Sequence, residues 1–184
     1  MKILMVRHAH SVGNEMKIID SSAAKFDLGL SEKGKEQAQE LIPKLNKYKI
    51  DAFIVSSLKR TIDTITPFLE TISNPAVTIN DLTLERDAGE FIGKPLVEMK
   101  EYLEKEKVDR VSFKPKNGES ILEVYQRAKK FLEFLKSEFA NKNVLICGHK
   151  NFLMCLKILI ENKDIKDYYS FEPIKNNEIF ELEA

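Results

Sequence analysis

All three histidines in the 184 residues stand where a short apolar run breaks off: His8 and His10 after Ile3-Leu4-Met5-Val6-Arg7, and His149 after Val144-Leu145-Ile146-Cys147-Gly148. Near neutral pH an imidazole serves as nucleophile, base or acid, and Arg7 sets a permanent cation directly beside His8. A second such cation, Arg60, lies in Ser56-Ser57-Leu58-Lys59-Arg60-Thr61, where Ser57 is placed to cap a helix and Arg60 falls in its first turn. A guanidinium there opposes the helix dipole, a conflict that a bound anion relieves with help from the exposed backbone N–H groups. Each feature also has a plain structural reading. Arg60 alone reads equally as a surface arginine reaching a carboxylate, and His10 as an auxiliary or surface residue of an emerging loop. Together they describe imidazole chemistry performed on an anion.

For these groups to meet, the apolar runs must end at one edge of a sheet. Strands are expected over Lys2 to Arg7, Ala52 to Ser56, Val77 to Asn80 and Asn143 to Cys147, with an edge strand over Glu178 to Leu182 where apolar and polar residues alternate. Amphipathic helices fall between them. Ala38, Leu41, Ile42 and Leu45 share one helical face, as do Ile62, Ile65, Leu69 and Ile72, although Pro67 should kink or break that second helix. Ile121, Val124, Tyr125, Ala128, Phe131, Leu132 and Leu135 mark a third, with Ser120 and Glu123 forming a capping box that starts it. Short apolar strands alternating with helices predict an α/β fold, a three-layer α/β/α sandwich around a mainly parallel sheet. In such sheets chemistry gathers outside the carboxyl ends of the strands.

Composition sets the bounds. The length fits one domain over residues 1–184, large enough to fold without disulfides or metal. A formal net charge of zero argues against general attraction to nucleic acid or an anionic membrane, so any anion site must be local. The two cysteines, Cys147 in a strand and Cys155 in the following apolar stretch, read as reduced core thiols and point to a cytoplasmic setting. No stretch is long enough to span a bilayer. Nothing in the sequence sets an oligomeric state. Two segments lack strong periodicity, 13–30 and 87–118, the second with a short helix expected around Leu96 to Leu103 and with Lys94, Lys114 and Lys116 read as solvated.

The motifs in order are Arg7-His8 with Asn14, Leu30-Ser31-x-x-Gly34-x-x-Gln37-Ala38, Ser56-Ser57-x-x-Arg60, Leu84-Glu85, Gly118-Glu119-Ser120 and Gly148-His149. In this set and sequence the chain resembles the histidine phosphatase superfamily, the phosphoglycerate mutase-like family, over roughly residues 3 to 154. The resemblance implies that His8 attacks phosphorus and becomes a phosphohistidine, that Arg7, Arg60 and His149 surround the phosphoryl oxygens, and that Asn14 also faces the phosphate. Physically, a phosphomonoester dianion repels nucleophiles, so preorganised positive charge and in-line positioning gain most. The loop from Leu84 to Gly93 resembles the family's acid-bearing loop and makes Glu85 the expected proton donor, with Asp87 and Glu90 as weaker alternatives. The segment around 87–118 is then expected to cover the substrate. No cofactor or metal is implied, since arginines would repel a bound cation and clustered carboxylate or cysteine ligands are lacking.

Four positions depart from the family pattern. Ala9 stands in place of a glycine, Ser11 in place of threonine, and Lys150-Asn151 in place of a glycine pair. Ala9 demands a backbone free of glycine-only angles and room for one methyl, and Lys150 offers an added substrate contact or a solvated lysine. The Arg-His-Ala form also occurs in the phosphohistidine protein phosphatase branch, which typically lacks the acid loop present here. The expectation is therefore a phosphatase acting on a small-molecule phosphate ester. A phosphoglycerate mutase-type phosphotransferase, a phosphohistidine protein phosphatase and a non-catalytic phospho-ligand binding module are the alternatives.

Overall fold

Strand β1 (Lys2–Arg7) buries its central residues on both faces, which requires cover on both sides. The computed structural model, which describes residues 1–20 and 26–183, supplies it. Ile3 and Met5 point into one apolar cluster with residues of α5 (Ile121–Glu138) and α6 (Lys150–Ile160). Leu4 and Val6 point into another with α2 (Glu32–Leu45) and α3 (Lys59–Leu69). The same alternation divides Ala52 and Ile54 from Phe53 and Val55 on β2 (Ala52–Val55), and Val144 and Ile146 from Leu145 and Cys147 on β4 (Val144–Gly148). This is the expected three-layer α/β/α arrangement.

The five strands run in the order β3-β2-β4-β1-β5, with β3 covering Val77–Ile79 and β5 Ile179–Glu183. Only β5 is antiparallel, laid along β1 at the edge. Strands β1 and β4 lie side by side with Arg7 opposite Gly148, and β2 flanks β4 with Val55 opposite Cys147. Their carboxyl ends therefore deliver Arg7-His8, Gly148-His149 and Ser56 to one rim. Expected strand ends differ from the observed ones by about a residue, as is usual where a ladder frays into a loop.

Helix α5 starts as its sequence announces. Ser120 Oγ accepts from Glu123 N, and the Glu123 carboxylate accepts from Ser120 N at 2.8 Å. Helix α3 differs from expectation in two ways. It continues unbroken past Pro67 to Leu69, the proline forgoing one backbone bond to the carbonyl four residues before it. Ile62, assigned to the buried face, is exposed; the inner face instead carries Arg60, Thr61, Thr64, Ile65 and Phe68. Polar residues displace apolar ones there because that end of the helix faces the rim where the histidines emerge.

Segment 87–118 contains a 3-10 turn at Gly89–Phe91 and helix α4 (Leu96–Lys105). After β1 comes the short helix α1 (Val12–Met16), followed by a bridge from Ile18 to Pro95 that ties this region to the entrance of α4. Within the irregular segment 13–30, residues 21–25 lie outside the described residues. Cys147 and Cys155 are free and buried, as expected of core thiols. Among the described residues no helix is long and apolar enough to cross a membrane.

Replacing Ser120 by Ala removes the Oγ arm of the capping box, leaves the backbone N–H arm to Glu123, and should cost about 1 kcal/mol, lowering the melting temperature by about 2–4 °C. An unchanged thermal melt would show that α5 is held by packing alone.

Candidate active site

The turn that follows β1 is bonded from every side. His8 N donates to Gly148 O at 3.0 Å, Ala9 N to Thr64 Oγ1 at 2.9 Å, and His10 N to Gln37 Oε1 at 2.9 Å. The N-terminus of α2 clamps the next carbonyl: Ser31 N and Ser31 Oγ both donate to His10 O, while Ser31 Oγ also caps the helix at Gly34 N. A side chain at residue 34 would place its Cβ 2.0 Å from His10 O, so only glycine lets helix and turn approach this closely. Ala9 is accommodated as required. Its φ is not in the left-handed region, and its methyl packs in a small cluster with Leu30 and Ala38. The Leu30-to-Ala38 motif is thus a clamp on the His8 turn.

His8 itself is 3 % exposed. Its Nδ1 lies 2.8 Å from Ala9 O, and since a carbonyl only accepts, Nδ1 carries the proton and Nε2 is the nitrogen with a free lone pair. The ring of His149, fully buried, lies 5.3 Å from that of His8 between centroids; its Nε2 is 2.9 Å from Ser56 Oγ, and its Nδ1 has no hydrogen-bond partner among the described residues. Burial holds both imidazoles well below 6.5, reinforced at His8 by the Arg60 and Arg7 guanidiniums and at His149 by Arg60, His8 and Arg7. These four groups therefore share one electrostatic environment. Two uncharged imidazoles stand among fixed cations.

Arg60 is 1 % exposed in the first turn of α3 and lies 3.0 Å from Asp27 and 3.8 Å from Asp20. Asp20 also accepts from Ser11 Oγ and occupies the space where a Gly13 side chain would lie. Arg7 donates through Nη1 to Ile174 O, while its Nε is buried without a hydrogen-bond partner among the described residues. Burial lowers the Arg7 pKa, and the Glu85 carboxylate opposes that shift, which brings the loop acid into the same field. Asn14 uses its Oδ1 to accept from Ser11 N and from Asn176 Nδ2, so its amide NH2 is what it can offer a ligand.

Glu85 is oriented by backbone donors. Its carboxylate accepts from Arg86 N at 2.7 Å and from Asn151 N, in the first turn of α6, at 3.1 Å. It does not pair with the Arg86 guanidinium, which donates to Glu119 O and Phe113 O. Arg127 grips the backbone before it, donating to the carbonyls of Leu82, Leu84 and Glu85 while its other edge meets Glu119. A Cβ on Gly118 would lie 2.7 Å from Asp87 O, which itself accepts from Glu119 N. The Gly118-Glu119-Ser120 motif therefore braces the acid loop and caps α5. The weaker acid alternatives are engaged locally: Asp87 accepts from Gly89 N and Glu90 from Lys116 N.

Sequence reasoning missed several supports. Ser57 does not cap α3; the N-cap is Leu58, and Ser57 Oγ donates to Asp81 because its neighbour Ser56 turns inward to His149. Asn176 Nδ2 donates to His8 O at 2.8 Å, and Asn177 N donates to Arg7 O. Neither asparagine belongs to a local motif that could have announced it. Lys114 pairs with Glu123 and Lys94 lies over the Phe91 ring, so neither enters the site. A cavity of about 840 Å³ opens next to these supports, with Asn14, Asn151 and Asn176 in its lining; His8 and His149 are not part of that lining. Lys150 and His10 line it.

A family model described as histidine phosphatase superfamily (branch 1) matches residues 3–184. Phosphoserine phosphatase 1 of Hydrogenobacter thermophilus is 31 % identical over 177 residues, covering 93 % of this chain and 81 % of that protein. Among solved structures, Bacillus stearothermophilus YhfR superposes with a TM-score of 0.86 at 19 % identity, covering all of this chain and 91 % of the other. A mycobacterial glucosyl-3-phosphoglycerate phosphatase solved with VO3 superposes with a TM-score of 0.85 at 18 % identity, covering 99 % and 92 %. These two similarities establish the shared fold.

The buried histidines predict a pH dependence of stability. Unfolded, each titrates near 6.5; folded, each stays neutral to lower pH, so acidification below 6.5 loads protons onto the unfolded chain alone. Their contribution is full above 6.5 and is lost on going down, by up to about 1.4 kcal/mol per pH unit for each histidine. Urea unfolding at stepped pH without phosphate should show this slope, shallower in His8→Ala. Equal slopes for the two proteins would refute it.

Proposed function

Because the chain belongs to the histidine phosphatase superfamily, we propose that it is a metal-independent phosphomonoesterase that hydrolyses a small phosphorylated metabolite through a phosphohistidine on His8. One observation carries the reading: with Nδ1 committed to Ala9 O, His8 keeps an unprotonated Nε2 inside a buried pocket of arginines. Imidazole is nucleophilic only when neutral, and like-charge repulsion from Arg7 and Arg60 favours that state. Similarity to a protein named phosphoserine phosphatase 1 supports the hydrolase class.

In the first step Nε2 attacks phosphorus in line, the bond from phosphorus to the ester oxygen breaks, and Glu85 gives its proton to the departing oxygen. Arg7, Arg60, His149 and the Asn14 amide hold the three peripheral oxygens, whose charge the guanidiniums offset as the transfer proceeds. In the second step the Glu85 carboxylate takes a proton from water, the oxygen of that water attacks phosphorus, and the N–P bond breaks to return neutral His8 and release inorganic phosphate. The backbone donors of Arg86 and Asn151 fix the carboxylate's direction in both steps. The segment around 87–118 covers the substrate in this reading. Cys147 and Cys155, buried and free, fit a reducing compartment, and we place the enzyme in the cytoplasm.

Rapid quench into alkaline SDS with a 32P-labelled ester should trap an acid-labile, base-stable phosphoenzyme in the wild type and none in His8→Ala, which should lose at least about 1,000-fold in kcat. Glu85→Gln should lower kcat by about 100- to 10,000-fold for alkyl esters and far less for p-nitrophenyl phosphate, whose leaving group needs no proton. Activity should survive exhaustive treatment with chelator. A phosphoenzyme that persists in His8→Ala, or a dependence on restored metal, would overturn the mechanism.

A further inference from the structure

The cavity lined by Asn14, Lys150 and Asn176 is mixed in its chemistry. One part is apolar and comes from α1, the residues just after it and α4, with Met16, Ile18, Leu96, Val97, Met99 and Leu103. Met16, Leu96 and Val97 are each more than half exposed, an unusual cost for large apolar side chains unless something covers them. The Ile18 to Pro95 bridge fixes the two halves of this wall to one another. The rest of the lining includes five cations, Lys17, Arg86, Lys100, Arg110 and Lys150, and no carboxylate lines any part of the cavity among the described residues.

Its cations are not equivalent. Arg86 is committed to the carbonyls of Phe113 and Glu119, Lys100 lies near Glu104, and Lys17 is exposed at the rim. Lys150 and Arg110 remain. Lys150 is half-buried at the start of α6 and makes no ion pair among the described residues. Burial lowers its pKa, and Arg7 and Arg110 act in the same direction, so it sits in an excess of positive charge that Glu85 only partly relieves. The Arg110 guanidinium stacks 4.7 Å above the Tyr169 ring, and its carbonyl accepts from the Tyr169 hydroxyl, which holds the side chain in place without neutralising it. A half-buried lysine beside a preorganised arginine, neither of them in an ion pair among the described residues, is an arrangement that a second anion completes.

We propose that the substrate's leaving group is amphiphilic, with an apolar body lying on the α1 and α4 wall and a second anionic group, carboxylate or phosphate, held by Lys150 and Arg110. The inference rests on the phosphatase reading for the placement of the first phosphate. It narrows the substrate class: a cavity of about 840 Å³ exceeds what a three-carbon ester fills, and its apolar wall disfavours a bare sugar.

Calorimetric binding to His8→Ala protein tests this apart from turnover, with phenyl phosphate, 3-phosphoglycerate and 4-(carboxymethyl)phenyl phosphate as probes. The third, which carries both features, should bind at least about tenfold tighter than either of the others. Arg110→Met and Lys150→Met should each erase at least about fivefold of its lead over phenyl phosphate, and Leu96→Asn with Val97→Asn its lead over 3-phosphoglycerate. Arg110 is exposed, so its variant reports on the charge even if Lys150→Met weakens the fold. Three probes binding within twofold of one another, or charge variants that weaken all three equally, would overturn the proposal. Absence of phosphate release from any probe by the wild type would refute the phosphatase reading while the binding ratios still decide this one.

Discussion

The hydrogen bond from His8 Nδ1 to Ala9 O is the constraint around which the structure is organised. It assigns the ring's proton to one nitrogen and leaves the other as a lone pair of fixed direction. A bond from a side chain to the adjacent carbonyl survives only if the backbone there cannot relax, and this backbone has no freedom left: Gly148, Thr64, Gln37, Ser31 and Asn176 each hold one of its polar groups. Those partners come from β4, α3, α2 and the segment before β5. The sheet order, with β1 and β4 adjacent at its centre, brings them within reach.

The second organising fact is electrostatic. Concentrating Arg7, Arg60 and two imidazoles in one desolvated space costs free energy, and the fold offsets it in two ways. Asp27 and Asp20 stand against Arg60, and Glu85 bears on Arg7, so the resting site is less positive than its two arginines alone suggest. The imidazoles stay uncharged. The site is thereby stable when empty while still presenting donors to an anion. Glu85 is consequently both a balancing charge and, in the proposed reaction, a proton carrier, and Arg127 secures it in both capacities by gripping the backbone on which it sits.

Much of this was legible in the residues, and the boundary is instructive. The strands, the core face of α5 and the Ser120 cap follow from local periodicity and short-range bonding, which a sequence displays directly. The chemical groups were legible because imidazole and guanidinium at strand ends have few other uses. What could not be read is the support that crosses the fold. Thr64, Asn176 and Arg127 are ordinary polar residues until topology sets them against Ala9, His8 and the Leu84 carbonyl. Periodicity also misleads where the site intrudes on it: the apolar stripe takes in Ile62 although the site claims that face of α3 for Arg60, Thr61 and Thr64, and Ser57 stands at cap spacing while its neighbour Ser56 turns in to meet His149.

The bonds from Asn176 and Asn177 have an implication for how the protein matures. They span nearly the whole chain, joining residues 176 and 177 to the carbonyls of residues 8 and 7, immediately before β5 closes the sheet against β1. During synthesis His8 is made long before residues 176 and 177, so the turn that holds it lacks these two clamps until the segment before β5 has followed. The pose of His8 is therefore a product of folding that joins both segments, and a chain interrupted before residue 176 holds the histidine without the two bonds that fix its backbone.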